Sequence, residues 1–362
     1  MYNYMHGGDI YNIKDLPQDC KIVDYSANIN PLGMPESVKK AIKQSLKTCE
    51  HYPDPFCRKL VERLAALHKV PFQYFLCGNG AADILFRLAL AVKPRRTLLM
   101  APTFSDYEKA VVAAGSKVDY YPLQEKLDFA LDKGILQAIT KRIEMVILCT
   151  PNNPTGQTIN PELLQEIVAK CQTMGIRLLV DECFLDFVTG GENFSLVREL
   201  TGNSQLVILK AFTKIFAMPG LRLGYCLSSD EHLLEKIRQC GQDWSVSVPA
   251  QAAGLAALQE TDYVVRTQAL VATERMYLLT QLQRIGFKVY PGLANYLLIK
   301  TKHEMDWVAL LRQRGFLIRD CSNYHNLETG YYRIAVKDRR NNRELIKTIK
   351  DIMKYALTHA CD

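Results

Sequence analysis

The chain has 362 residues, 48% hydrophobic and 23% charged, with 45 Lys and Arg against 38 Asp and Glu for a formal net charge of +7. This length supports two domains or one large one around a well-buried core, and the composition excludes disordered, collagenous and mini-protein chains. No window reaches the roughly 18 uninterrupted apolar residues of a membrane helix, and no basic run interleaves with aromatics, so the expected partner is an anionic small molecule rather than a membrane or a nucleic acid.

Residues 1–13 contain no Lys or Arg and no apolar run, unlike a secretory or transit signal, and the 11 cysteines form no CxxC pair. A reducing, cytoplasmic compartment is expected. Apolar strand-like runs follow at 74–77, 97–100, 145–149, 176–180, 206–209 and 221–227, separated by amphipathic stretches, which predicts an α/β fold with a largely parallel sheet. Between two of them, Leu163, Leu164, Ile167, Val168, Cys171 and Met174 recur at helical spacing behind an Asn160 N-cap and Pro161 at the first helical position. From about residue 250 the pattern changes to long helices and two strands, 296–299 and 331–336, and ends on a helix with Leu345, Ile346, Ile349, Ile352, Met353 and Ala356 on one face. This predicts a smaller α+β unit. There is no low-complexity linker and no internal repeat.

Three loops carry candidate chemistry. In 206–225 a strand presents Lys214 among apolar neighbours, with Arg222 eight residues on. Desolvation lowers a lysine pKa and frees its amine for Schiff-base chemistry. A lone loop lysine is more often simply solvated, and Lys210 competes for the role. The run 147–156 ends a buried strand in a rigid polar turn holding Asn153, where open α/β sheets bind ligands. The run 177–182 ends the next strand on Asp181, which by itself reads equally as a helix cap or a salt-bridge partner.

Asn153, Asp181, Lys214 and Arg222, read as the carboxyl edges of successive buried strands, resemble the class I/II pyridoxal-phosphate enzymes of aspartate aminotransferase fold type I. That resemblance implies a large domain with a mostly parallel seven-stranded sheet and a smaller α+β domain. It implies pyridoxal 5'-phosphate held by Lys214, with Asp181 on the pyridinium nitrogen, Asn153 on the ring oxygen and Arg222 on the phosphate. Gly80, Ala81 and Ala82 match its phosphate cradle at a helix N-terminus, Thr213 supplies a hydroxyl, and Phe104 matches the ring stacked on the cofactor. Tyr52 matches a tyrosine that reaches the partner subunit's site, implying a homodimer. Two positions depart from the family pattern: Ala211 stands where a phosphate-binding Ser is usual, and Phe184 where a Tyr is common.

The same cofactor machinery serves transamination, decarboxylation and elimination, so the substrate residues decide. His6-Gly7-Gly8, the 24–33 segment with Asn28, the 317–324 segment with Arg319 and the 291–296 segment together resemble the threonine-phosphate decarboxylase branch of cobalamin biosynthesis. The resemblance implies His6 and Arg319 on a substrate phosphate, Asn28 near that phosphate and the α-carboxylate, and Arg333, in 331–335, on the carboxylate, with Gly7 and Asn153 also among the substrate-binding residues. Taken singly, His6 reads as a surface residue, Asn28 as a turn former and Arg319 as a surface partner of Asp320 or Glu328. The implied activity is decarboxylation of L-threonine O-3-phosphate. The alternatives are a phosphate-substrate aminotransferase of histidinol-phosphate type, L-serine O-phosphate decarboxylation, and a non-catalytic cofactor-binding regulator, for whose DNA-binding domain residues 1–35 are too short. The expected division is an N-terminal segment 1–35, a cofactor domain 36–245 and a small domain 246–362, with no metal.

Overall fold

The computed structural model describes residues 6–11, 21–301 and 305–359, with side chains to 355. The signal reading of residues 1–13 falls partly outside these, and Ala356 lies beyond the described side chains. Thirteen strands run in chain order: β1 Val23–Asp24, β2 Phe75–Gly78, β3 Arg96–Ala101, β4 Lys117–Pro122, β5 Met145–Cys149, β6 Arg177–Asp181, β7 Leu206–Ala211, β8 Gly224–Leu227, β9 Lys288–Val289, β10 Tyr296–Lys300, β11 Phe316–Leu317, β12 Arg319–Asp320 and β13 Tyr331–Ala335.

Seven strands form the main sheet in the order β2-β8-β7-β6-β5-β3-β4. β8 alone runs antiparallel to its neighbours β2 and β7, while the β7-β6-β5-β3-β4 pairs are parallel. The fold is therefore the α/β, aspartate aminotransferase-like type that the sequence resembles. β5 and β7 are buried at every position, as strands covered on both faces must be, β7 carrying Lys210 as its one charged residue. β4 was not read from sequence. Its Lys-Val-Asp-Tyr-Tyr-Pro run is half-exposed along its length, so it lacks the apolar signature of its neighbours and sits at the sheet edge.

The expected helix spans Pro161–Met174; Asn160 Oδ1 accepts from the Leu163 N–H at 3.1 Å and Gly175, at φ 67°, closes it. A second sheet, β12-β13-β10-β9, packs with helices Thr261–Arg284 and Arg339–His359 around Trp307, Leu278, Leu282, Leu345 and Ile349. The N-terminal segment joins this second core. β1 pairs in parallel with β11, Tyr25 is fully buried, and its Oη donates to Asn342 Oδ1 at 3.1 Å.

Candidate active site

The C-terminal ends of the parallel strands face one edge of the sheet, and the polar side chains gather there. β3 leads to Phe104, β5 to Asn153, β6 ends on Asp181 and β7 leads to Lys214. One expectation needs correction: Arg222 does not follow a strand but precedes β8. It reaches the same edge because β8 is reversed in the sheet. Lys214, expected in a loop, sits in a one-turn helix, Phe212–Ile215, and the run expected to be a strand from 221 starts only at Gly224, after a 3-10 turn and a left-handed Arg222 at φ 56°.

Lys214 and Lys210 differ in kind. Lys210 is buried with its Nζ 3.3 Å from Glu182 Oε2 and 3.5 Å from Asp186 Oδ1. Burial works against its charge, but the two carboxylates more than offset this and hold it protonated, above its ordinary range. Lys214 is half-buried and has no such partner. Desolvation first, then the positive charges of Arg333 and Arg222, bring its pKa down to about 8. It is the amine that can become a nucleophile near neutral pH.

Asp181 lies opposite in chemistry. Burial pushes its carboxyl upward, while donors work to keep it ionised: the Cys183 N–H reaches Oδ1 at 2.8 Å and the Tyr107 hydroxyl reaches Oδ2 at 2.6 Å. Sequence reasoning missed Tyr107. Its burial comes from its place in the first turn of helix Asp106–Ala113, with Ala110 and Val111 buried on the same helix. The Phe104 and Tyr107 rings meet edge to face with centroids 5.6 Å apart.

The expected phosphate cradle lies at the start of helix Ala81–Val92, whose N-cap is Gly80 at φ 83°. Its 78–80 loop is held by Asp83, which accepts from the Asn79 N–H at 2.9 Å and from Arg87 Nε at 2.8 Å. A Cβ on Gly80 would lie 2.5 Å from Arg222 Nη2, so the guanidinium rests directly over this turn. Thr213 is buried on the adjoining segment. Backbone N–H groups of Ala81 and Ala82, a hydroxyl and a guanidinium at a 12-residue helix N-terminus make an anion site.

Across the edge, Arg333 on β13 is buried, hydrogen-bonds Asn153 Oδ1 through Nη1, and donates from Nη2 to the Ser26 carbonyl at 2.6 Å. Its Nε and the Oδ1 of buried Asn28 have no hydrogen-bond partner in the protein. Such atoms are costly in a finished interior and ordinary in a ligand site. Asn295, in the 291–296 run but given no role from sequence, is fully buried and donates to the Asn28 carbonyl at 3.0 Å. Arg319 hydrogen-bonds Asn323 Oδ1 at 2.9 Å and the Asp320 carbonyl, with its guanidinium 5.4 Å from the Tyr324 ring centroid. The Tyr324 hydroxyl in turn is 3.5 Å from Asn153 Oδ1.

The N-terminal His6-Gly7-Gly8 strap lies over this region. A Cβ on Gly7 would be 2.1 Å from the Ser26 carbonyl oxygen, and the Gly8 N–H donates to Ser26 Oγ at 2.8 Å. His6 then meets the Phe104 ring at 5.5 Å and Asp106 Oδ1 at 3.0 Å. Burial pushes the Asp106 carboxyl up, but His6 and Lys109 outweigh it and hold it below the usual range. Tyr52 is not in this assembly; it is 77% exposed and stacked on Trp244 at 4.3 Å.

This fold and this set of groups define a class: the chain belongs to the class I and II aminotransferases, whose family pattern matches residues 21–349. These are pyridoxal-phosphate enzymes, and pyridoxal phosphate is the cofactor of this chain. The anion cradle at the helix N-terminus and the lysine of lowered pKa fit that group. Within the class, the chain is 37% identical over 360 residues to the threonine-phosphate decarboxylase of Salmonella typhimurium, covering 98% of each chain. It is 27% identical to the adenosylcobalamin biosynthesis bifunctional protein CobDQ of Leptospira interrogans, over 96% of this chain and 41% of that protein. It also superposes on the solved histidinol-phosphate aminotransferase of Clostridium acetobutylicum with TM-score 0.85 at 28% identity, covering 91% of this chain and 99% of that one. Among the described residues no helix is long and apolar enough to cross a membrane.

Proposed function

We propose that the chain decarboxylates L-threonine O-3-phosphate to (R)-1-aminopropan-2-yl phosphate, a step of cobalamin biosynthesis. The observation that carries this reading is the glycine-dependent fit of the His6 strap beside Phe104, which adds an anion-binding end to a site whose other end holds Arg333. The relatives named above support it.

Pyridoxal phosphate, when bound, supplies the electron sink that lets a bond at the substrate Cα break heterolytically. Lys214 would hold it. The Ala81 and Ala82 N–H groups, the Thr213 hydroxyl and Arg222 would take its phosphate, with Asp181, Asn153 and Phe104 around its ring. Arg333 turns its fork to the substrate carboxylate, and Asn28 completes that contact. His6, the Gly7 backbone and Arg319 hold the distal phosphate. Gripping the amino acid at both ends orients the Cα–carboxylate bond for cleavage, and positioning of this kind is worth several kcal/mol of the barrier. The carboxylate leaves as carbon dioxide. Lys214 Nζ, near its pKa of about 8, delivers the proton that completes the new Cα–H bond.

We assign residues 1–35 as an N-terminal segment that packs on the active site and the small domain, 36–245 as the cofactor-binding domain and 246–362 as the small domain, which contributes Arg319 and Arg333. The protein acts as a homodimer whose exposed Tyr52 enters the partner subunit's site, and works in the cytoplasm, consistent with nine free cysteines among the described residues. The test is to supply the holoenzyme with L-threonine O-3-phosphate, and separately with L-serine O-phosphate. Carbon dioxide release is expected, with the threonine derivative favoured by the roughly 1–3 kcal/mol that a methyl group contributes. Amino transfer to 2-oxoglutarate without carbon dioxide would overturn the reading.

A further inference from the structure

The first turn of helix Asp106–Ala113 gathers charges that the cofactor residues do not use. His6 Nε2 lies 3.0 Å from Asp106 Oδ1 and 3.1 Å from Lys109 Nζ, and Lys109 Nζ lies 3.3 Å from the same Asp106 oxygen. One residue before Lys109, Glu108 Oε2 is 3.0 Å from His325 Nε2, on the hairpin that carries Arg319. A single helix therefore docks both segments assigned to the distal end of the substrate.

Charge counting shows what Lys109 adds. A protonated His6 paired with Asp106 sums to zero, a poor electrode for a phosphate dianion; Lys109 restores one positive charge at the same spot. The ammonium has three donors; one reaches Asp106 Oδ1, and since a protonated His6 Nε2 is itself a donor and cannot accept from it, the other donors are left to face an anion. All three side chains are only 16–29% exposed, so screening by water is partial. Asp106 holds both donors in place before a ligand arrives.

We propose that Lys109 is a specificity-determining residue, supplying the substrate's distal phosphate with a second cation beside His6. This rests on the phosphate-substrate reading above. Its experiment measures binding to the holoenzyme by calorimetry, with L-threonine O-3-phosphate, inorganic phosphate and unphosphorylated L-threonine as ligands, for wild type, Lys109→Met and Lys109→Arg.

Lys109→Met is expected to weaken both phosphate-bearing ligands about ten-fold, the loss of one charge-assisted hydrogen bond at a partly exposed site. The loss is confined to those ligands, and Lys109→Arg recovers most of it. Unchanged binding of the phosphate-bearing ligands, or an equal loss for L-threonine, would overturn the assignment. Carbon dioxide is scored in the same samples. A wild type that binds the phosphorylated substrate without releasing carbon dioxide refutes the reaction proposed above, while a phosphate-selective ten-fold loss still upholds Lys109.

Discussion

Two lysines four residues apart respond oppositely to removal, and Lys214→Met in the cofactor-free protein measures the difference. The unfolded chain titrates this amine near 10.5, the folded chain at about 8. Below pH 8 both states carry the proton, and the fold bears the whole cost of a desolvated ammonium. Between about 8 and 10.5 the folded protein has released the proton while the unfolded chain retains it, so stability rises with pH across that window. At about 1.4 kcal/mol per pH unit the gap corresponds to about 3 kcal/mol as an upper bound. Methionine keeps the packed stem without the charge. The variant should therefore exceed wild type by up to about 3 kcal/mol at pH 7, with the advantage fading as pH approaches 10.5. Urea midpoints of both proteins at several pH values between 7 and 10 supply the comparison. Lys210→Met should do the reverse, losing about 3 kcal/mol by taking the cation from buried Glu182, which keeps only the Ser195 hydroxyl and the Leu196 N–H. A pH-independent difference for Lys214→Met, or stabilisation by Lys210→Met, would refute the assignment of the two amines.

Three further outcomes follow from the site. Tyr107→Phe removes the 2.6 Å hydrogen bond that favours the Asp181 anion; at about 1.5–3 kcal/mol for a bond to a charged group, cofactor affinity read by absorbance titration should fall roughly 10- to 100-fold, and unchanged affinity would count against Asp181 facing the ring. Gly7→Ala puts a methyl 2.1 Å from the Ser26 carbonyl oxygen, so the strap must lift with His6, and the KM for the phosphorylated substrate should rise about ten-fold while the cofactor spectrum stays as in wild type. Arg333→Lys keeps the charge but loses the planar fork; kcat/KM should drop about 100-fold, equivalent to roughly 3 kcal/mol, with cofactor binding retained.

Much of this was legible in residues alone, for identifiable reasons. The central strands are continuous apolar runs because both faces are covered, and the Asn160-Pro161 start and Gly175 stop of one helix are local chemistry. β4 was silent because an edge strand tolerates Lys, Asp and Tyr. Arg222 was placed on the wrong end of a strand because sequence does not report strand direction; only pairing with β2 and β7 does. Tyr107, Lys109 and Asn295 were given no role because each acts through a neighbour brought close by folding, Asp181, His6 and Asn28 respectively. Long-range juxtapositions of this kind leave no periodic trace.

The joining of β1 to β11, and of Tyr25 to an asparagine 317 residues further on, has a bearing on how the chain is made. At about 5–20 residues per second, the segment that carries the substrate strap emerges from the ribosome roughly 15–60 s before its partners exist. Over that interval Val23 and Tyr25 have nowhere to go. The strap over the candidate site thus rests on a segment that waits for partners made about 300 residues later before it can take its place.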